Sequence, residues 1–257
     1  MPSDAETNSK ERFSNRVDAY VKYRPSYPAE AIAHLYHTIG LSRSSVIADV
    51  GAGTGKFSEL LLNQGSPVIA VEPNKEMREA AEQRLGANPL FRTAPGSAEE
   101  TGLPNHSVDF IVCAQAFHWF DRSAARQEFA RILKPGGQVV LIWNSRITSG
   151  TPFREAYDRL LHTYGIDYAK LMHKNISPAD LAAFYAPKPM EEARFVNSQA
   201  FDYEGLSGRM HSSSYIPTPD HPQYEPMMKE LRRVFDQNNQ NGLVAFDYET
   251  EIYWGEL

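Results

Sequence analysis

Val46-Ile-Ala-Asp-Val-Gly-Ala-Gly-Thr-Gly55 is the most informative stretch of the sequence, because an apolar run passes directly into alternate glycines at Gly51, Gly53 and Gly55. An apolar run without alternation is typical of a strand that is covered on both faces of a parallel sheet. Glycines after such a strand let the backbone turn sharply and approach a ligand closely. The segment Lys56–Gly65 that follows has helical spacing and ends at a glycine. Strand, glycine turn and helix together predict a nucleotide-type site at the carboxyl end of the strand.

The spacing around the glycines excludes two common phosphate-binding motifs. A dinucleotide fingerprint needs glycine three residues after Gly53, but Lys56 stands there, which disfavours an NAD-dependent oxidoreductase. A P-loop needs glycine at position 50 and serine or threonine at position 57, and these positions hold valine and phenylalanine. The pattern that remains is Asp-x-Gly-x-Gly-x-Gly, which begins at Asp49.

This pattern resembles motif I of the class I S-adenosylmethionine (SAM) methyltransferases. The next apolar run, Pro67–Glu72, ends in an acid, and a carboxylate there can accept two hydrogen bonds from a ribose diol. A glycine-rich loop is a weak signal alone, and the acid makes it a strong one. The resemblance implies SAM as cofactor, with Glu72 at its ribose, Asp49 at its ammonium directly or through water, and room for its aminoacyl chain over Gly51–Gly55.

The remaining pattern predicts the fold class. Five strands alternate with helices over residues 46–144, and the right-handed crossover rule favours a doubly wound sheet. Class I methyltransferases complete their sheet with an antiparallel pair, a role that Ala193–Tyr203 and Leu243–Trp254 fit. We therefore predict an α/β, seven-stranded, mostly parallel Rossmann-like sheet. Helical inserts, roughly 151–190 and 204–240, would lie over the cofactor mouth as a substrate cover.

This interpretation divides the chain into four regions. Residues 1–11 form a disordered tail, residues 12–40 a lid arm with a helix, and residues 41–145 the SAM-binding core. Residues 146–257 contain the helical substrate cover and the antiparallel strand pair that completes the sheet. The arm contains Tyr-x-x-x-Arg-Pro from Tyr20, with Arg24 as its arginine. This pattern resembles the segment before the core in methyltransferases of the trans-aconitate type. The resemblance implies that Tyr20 and Arg24 contact SAM, whereas the alternative is an arm that packs its tyrosines on the core.

The resemblance also implies how the adenine is held. Pro73, Asn74 and Met77 would lie beside the ring, where a polarizable thioether suits a flat surface. The loop Gly96–Glu99 would read the adenine edge. The alternatives are that Met77 is an ordinary core residue of its helix and that Ser97–Glu99 form an ordinary turn. The complete set expected at the cofactor is Tyr20, Arg24, Asp49, Gly51, Ala52, Gly53, Gly55, Glu72, Pro73, Asn74, Met77, Ser97, Ala98, Glu99, Ala114, Gln115 and Phe117.

The acceptor is expected at the mouth of the fourth strand, Ala114–Phe120. This run is similar to the corresponding segment of the methyltransferases that act on small molecules. It lacks the Asn/Asp-Pro-Pro-aromatic tetrapeptide of amino-methyltransferases that act on nucleic acids. His118 is a candidate general base or a structural histidine. Trp119 would wall the pocket. Tyr215 is a candidate lid residue or part of a surface loop, and an anionic acceptor would need a cation, for which Arg146 and Arg154 are candidates.

Composition restricts the remaining possibilities. The chain has 257 residues, 42% of them hydrophobic, and a formal net charge of −6, which argues against nucleic acid or an anionic membrane as main partner. One cysteine allows no intramolecular disulfide, the histidines show no metal spacing, and the first dozen residues carry no apolar signal segment. We predict a soluble, cytoplasmic monomer or homodimer.

The leading hypothesis for function is a SAM-dependent methyltransferase that acts on an oxygen or nitrogen atom of a small molecule. The alternative is a catalytically silent SAM-binding sensor or scaffold. The motifs encode binding of the cofactor, so the sequence alone does not separate these two hypotheses.

Overall fold

The computed structural model of the chain describes residues 22–166, 168 and 176–257. The predicted tail at 1–11 and the predicted cofactor contact Tyr20 lie outside the described residues. The strands are β1 Ile47–Val50, β2 Val68–Val71, β3 Phe91–Ala94, β4 Val108–Ala114, β5 Leu133–Arg146, β6 Glu191–Phe201 and β7 Val244–Gly255. The helices are α1 Ala29–His34, which continues as a π-helical turn Leu35–Ile39, α2 Lys56–Asn63, α3 Lys75–Leu85, α4 Arg122–Ile132, α5 Pro152–Tyr164, α6 Pro178–Tyr185, α7 Tyr203–His211 and α8 Tyr224–Asn238, with a short 3-10 helix at Phe117–Trp119.

The strands form one seven-stranded sheet in the order β3-β2-β1-β4-β5-β7-β6. Neighbouring strands from β3 to β5 are parallel, and β7 runs antiparallel to both β5 and β6. The predicted mostly parallel, doubly wound sheet with a terminal antiparallel pair is therefore confirmed. The strand order reverses between β1 and β4, and ligands bind at such a switch point, outside the carboxyl ends of the strands.

Apolar side chains on both faces of β1 explain why this strand is central. All four of its residues are buried. Ile47 belongs to the apolar cluster that includes α1 and α2, whereas Ala48 and Val50 belong to the cluster on the other face, with α4 and α6. Burial on two faces makes the carboxyl end of β1 a rigid support for the loop that follows.

The two strands that were predicted by range differ slightly from the expectation. The edge strand β6 spans Glu191–Phe201 instead of 193–203, and β7 spans Val244–Gly255 instead of 243–254. The Lys134-Pro-Gly-Gly137 segment follows α4 and lies within the extended segment of β5. Val108 pairs with Leu133 and Phe110 pairs with Gln138, so the residues between Leu133 and Gln138 form a bulge at the start of the strand.

The helices of the C-terminal region form a third apolar cluster. Side chains of α5, α7 and α8, among them Leu160, Leu206 and Leu231, pack together and against Phe246 of β7. This packing fixes α7 beside the carboxyl edge of the parallel strands. The role of these helices as a substrate cover stays a prediction.

Truncating the centre of the sheet should destabilise the fold much more than truncating its edge. Ile111 in β4 is completely buried, and Ile111→Ala should lower the free energy of unfolding by about 2–5 kcal/mol through lost burial and a residual cavity. Val196 on the edge strand β6 is 86% exposed, so Val196→Ala should change the free energy of unfolding by less than about 0.5 kcal/mol. Urea unfolding of both variants measures this, and equal losses would contradict the assigned positions of the two strands.

Candidate active site

A cavity of about 200 Å³ lies outside the carboxyl ends of the central strands. It is bordered by the loop after β1, the end of β2, the loop after β3 and the residues that follow β4. Most of the residues predicted at the cofactor line this one cavity: Arg24, Asp49, Gly51, Ala52, Gly53, Glu72, Pro73, Asn74, Met77, Ser97, Ala98, Glu99, Ala114 and Gln115.

Gly51 and Gly53 of the loop serve two different purposes. A Cβ on Gly51 would lie 2.5 Å from Cβ of Ala116, so the close packing of the β1 and β4 ends requires glycine there. Gly53 has φ +56° and lines the cavity, and a Cβ on it would meet only the Met77 sulfur, at 3.8 Å. Gly53 therefore has the backbone conformation and the bare surface that a ligand needs for close approach.

The carboxylate of Glu72 holds the loop in place. Its Oε2 accepts from the Gly53 amide at 2.8 Å, and its Oε1 accepts from the Asn74 amide at 2.9 Å. The side chain is 7% exposed and lines the cavity. Each carboxylate oxygen can accept more than one hydrogen bond, which is the property that binding of a ribose diol requires.

Asp49 is a buried acid beside the same loop. Its Oδ2 accepts from the Ser58 hydroxyl at 2.6 Å, whereas Oδ1 is buried and has no hydrogen-bond partner among the described residues. Burial, aided by the nearby Glu72 charge, raises the pKa of Asp49 to about 7. Because a buried acceptor without a partner is costly, Asp49 provides a place for a donor or a cation from a ligand.

The residues predicted around adenine combine structural bonds with exposure to the cavity. The Asn74 side chain accepts from the Met77 amide at 2.9 Å and caps α3, and Met77 is buried at the cavity wall. The Glu99 carboxylate accepts from the Asp121 amide at 2.9 Å. Gln115 has φ +59°, a strained conformation of the kind that clusters at functional sites.

The N-terminal arm is fastened along the cavity. Lys56 donates to the carbonyl of Arg24, and the Arg24 guanidinium donates to the Ser212 carbonyl at 3.0 Å. Asn144, also at the cavity, donates to the carbonyl of Ser26 at 3.2 Å. Burial and the neighbouring arginines lower the pKa of Lys56 to about 8.

Three residues predicted at the site lie outside the cavity. Gly55 packs against α3, where a Cβ would lie 2.8 Å from Leu85. Phe117 is completely buried against the ring of Phe184, at a centroid distance of 4.7 Å. His118 is not among the residues that line the cavity, and its Nδ1 accepts from the Trp143 indole at 3.5 Å. The role of His118 as a general base stays a prediction.

Of the other residues predicted at the acceptor, some line the cavity and some lie elsewhere. Trp119 lines the cavity and is 37% exposed. Arg146 lies elsewhere, because its guanidinium pairs with Asp158 and donates to the Tyr168 hydroxyl at 2.6 Å. Tyr215 packs its ring on Tyr168 at 4.9 Å and does not line the cavity.

Arg154, the other candidate cation, pairs with Asp247 and is likewise absent from the cavity lining. Carboxylates therefore compensate both arginines that the sequence suggested for an anionic acceptor.

Several lining residues were not predicted. Lys56 and Phe57 directly follow the glycine motif, and Pro25 and Tyr27 follow Arg24, so closeness in sequence was an available signal. Arg209 carried no local signal, because α7 reaches the cavity only through tertiary packing. The full set of additional lining residues is Pro25, Tyr27, Lys56, Phe57, Ala116, Phe120, Asn144 and Arg209.

Sheet order, glycine loop and the acid ending β2 together define the class I methyltransferase architecture. A comparison with known protein families agrees with this assignment of the fold, because residues 48–141 match the methyltransferase domain family. These residues are therefore similar to a methyltransferase domain, and the sheet has the class I methyltransferase fold.

Curated relatives and solved structures give the same result. An uncharacterised methyltransferase of Mycobacterium tuberculosis is 42% identical over 134 residues, which is 52% of this chain and 52% of the relative. The chain thus spans about half the length of that relative. An uncharacterised methyltransferase of Schizosaccharomyces pombe is 28% identical over 248 residues, covering 95% of this chain and 96% of the relative.

Among solved structures, a candidate type II methyltransferase from Anaeromyxobacter dehalogenans superposes with a TM-score of 0.67. It is 21% identical and the match covers 91% of this chain and 98% of that chain. At this identity the likeness concerns the fold.

The described ranges contain neither a metal-binding cluster nor a membrane-spanning helix. No cluster of three or more His, Cys, Asp or Glu side chains in them could hold a metal ion. No helix in these ranges is long and apolar enough to cross a membrane. The cytoplasmic location and the monomer or homodimer state stay predictions.

The raised pKa of Asp49 makes stability depend on pH. The folded protein retains a proton that the unfolded chain releases between the ordinary value of 3.8 and about 7, so the free energy of unfolding falls as pH rises through this window. Asp49→Asn removes that loss. Its free energy of unfolding relative to wild type, measured in urea, should therefore increase by about 1–3 kcal/mol from pH 5 to pH 8.

Asp180→Asn is the matched control for this titration. Hydrogen bonds from Ser177 hold the pKa of the Asp180 carboxyl below its usual range, so it stays ionised from pH 5 to pH 8 and its effect should be constant. An Asp49→Asn effect that is equally constant would show that Asp49 is ionised throughout.

Proposed function

We propose that this chain is a SAM-dependent methyltransferase that transfers a methyl group to an oxygen or nitrogen atom of a small molecule. The observation that carries the proposal is the placement of two acids, Asp49 and Glu72, on either side of a glycine loop in one cavity.

The cavity residues fit the chemical groups of SAM. The unpartnered Oδ1 of Asp49 matches an ammonium donor, and Glu72 matches a ribose diol. Gly53 offers a surface without a side chain where Met77 is the nearest neighbour. The loop residues Ser97–Glu99, which also line the cavity, would hold the adenine edge.

The protein contributes binding and orientation. Bound SAM would supply an electrophilic methyl group on a sulfonium centre, whose transfer to the acceptor leaves the neutral thioether S-adenosylhomocysteine. The chain then needs to hold the acceptor atom in line and to exclude water. Trp119 and Phe120 give the cavity an apolar wall suited to this, and no covalent nucleophile is required.

A small acceptor is favoured by the size and setting of the site. The cavity measures about 200 Å³, and the chain carries a net charge of −6, which suits neither a nucleic acid nor an anionic membrane. Since His118 lies outside the cavity lining, an acceptor that is already ionised at neutral pH fits the described groups better than one needing a base there.

Calorimetric titration with SAM and incubation with labelled SAM test the proposal. We expect binding, followed by label transfer to members of a panel of small acids, phenols and amines. Binding without transfer to any member would favour the alternative, a catalytically silent SAM sensor or scaffold. The absence of SAM binding would overturn both.

Substitution of the loop glycine tests the position of the cofactor. Gly53→Val puts a side chain on the bare cavity surface, so SAM binding should fall below detection in calorimetry. The matched control is Gly242→Val, because Gly242 has φ +81° and open space around it, away from the cavity lining. Both variants bear a similar backbone strain of about 1–2 kcal/mol, but the control should bind SAM normally. Normal binding by folded Gly53→Val would mean that the loop is not the cofactor site.

A further inference from the structure

Arg209 in α7 is a buried cation at the wall of the cavity. It is 6% exposed, and its guanidinium lies over the ring of Phe246, 5.3 Å from the centroid. Its Nε donates to the Tyr248 hydroxyl at 3.0 Å, and its Nη1 donates to the hydroxyls of Ser213 at 3.1 Å and Ser212 at 3.4 Å. Its position is therefore fixed by packing and by three hydroxyl groups.

No carboxylate in the described part of the chain compensates this charge. All three hydrogen-bond acceptors are neutral hydroxyls, and Nη2 donates to none of the described residues. Two half-buried arginines differ, since Arg146 pairs with Asp158 and Arg154 pairs with Asp247. A buried charge without a counter-charge is costly, so Arg209 makes this wall of the cavity a place where an anion gains binding energy.

A second cation reinforces the positive character of this wall. The Arg24 guanidinium donates to the Ser213 hydroxyl at 3.4 Å, the same oxygen that Arg209 contacts. Two guanidinium groups thus share one neutral acceptor at the cavity. Like charges at this separation repel, and an anion between or beside them relieves the repulsion.

We propose that Arg209 binds a carboxylate group of the methyl acceptor. This inference rests on the proposed methyltransferase function and names its substrate class. Asp49, Gly53 and Glu72, which were matched to groups of SAM, lie within residues 48–141. Arg209 comes from the helical region outside these residues and is not among the groups matched to SAM. The single charge of a carboxylate balances the single uncompensated guanidinium, and a phosphate ester is the other anion to be tested.

Thermal unfolding of the protein loaded with S-adenosylhomocysteine tests the inference without requiring turnover. The probes are benzoate and succinate as carboxylates, phenyl phosphate as the phosphate ester, and benzamide and succinamide as neutral counterparts. We expect a carboxylate, and neither amide, to raise the midpoint of the loaded wild type. The apparent dissociation constant of that carboxylate should rise by about 10- to 100-fold in Arg209→Gln and by less in Arg209→Lys.

Matched variants separate this role from general effects on folding. Arg146→Gln removes a half-buried arginine that does not line the cavity, and it should keep the wild-type response to the carboxylate. Arg209→Gln should bind SAM within about 2-fold of wild type in calorimetry, because Arg209 is assigned to the acceptor. If Arg209→Gln does not fold, Arg209→Lys, which keeps the charge but not the planar fork, carries the comparison.

The outcomes are distinct. A response to the carboxylate that survives in both Arg209 variants, a response to the phosphate ester alone, or no anion response at all would overturn the inference. A large loss of SAM affinity in Arg209→Gln would also overturn it, by assigning Arg209 to the cofactor. Failure of the wild type to bind SAM would instead overturn the proposed function itself.

Discussion

The hydrogen bond between the Glu72 carboxylate and the Gly53 amide is the contact on which the whole cavity depends. Strands β1 and β2 are paired in parallel register, with Val50 opposite Val71, so the residues that follow them emerge side by side. The Val71 carbonyl accepts from the Gly51 and Ala52 amides, and Glu72 then holds the next turn of the loop. The loop is therefore anchored to the neighbouring strand by backbone and carboxylate together, which keeps its surface in place for a ligand.

This anchoring also sets the electrostatics of the site. Glu72 and Asp49 are close enough for the Glu72 charge to contribute to the raised pKa of Asp49, although burial is the larger cause. Lys56, Arg24 and Arg209 also line this cavity, and burial, reinforced by neighbouring arginines that include Arg24 and Arg209, lowers the pKa of Lys56 to about 8. A cavity lined by both acidic and basic groups is suited to ligands that carry both charges, or to a cation and an anion bound together.

The sequence was sufficient to predict which residues meet at the ends of the regular strands. Gly53 and Glu72 follow buried apolar runs, and parallel pairing brings strand ends to one edge, so their meeting followed from local pattern and sheet geometry. The sequence was not sufficient to predict the surroundings of side chains whose position depends on long-range packing. Arg146 stood at the end of β5 and looked available, yet Asp158, one helix later, neutralises it. Arg209 has no distinguishing neighbours in sequence, because its support comes from Tyr248 on the last strand, which pairs with β5 and β6.

The two kinds of residue also lie in different parts of the chain. The loop and acids lie within residues 48–141, which match the methyltransferase domain family, and backbone geometry there requires the loop glycines. The cationic wall is built by α7 on a layer of aromatic side chains, where Phe246 and Tyr248 set the position of Arg209. Changing the packing of α7 on β7 would move that cation while leaving the Glu72–Gly53 contact intact. The contacts that support the proposed cofactor loop and those that support Arg209 are therefore separate in this fold.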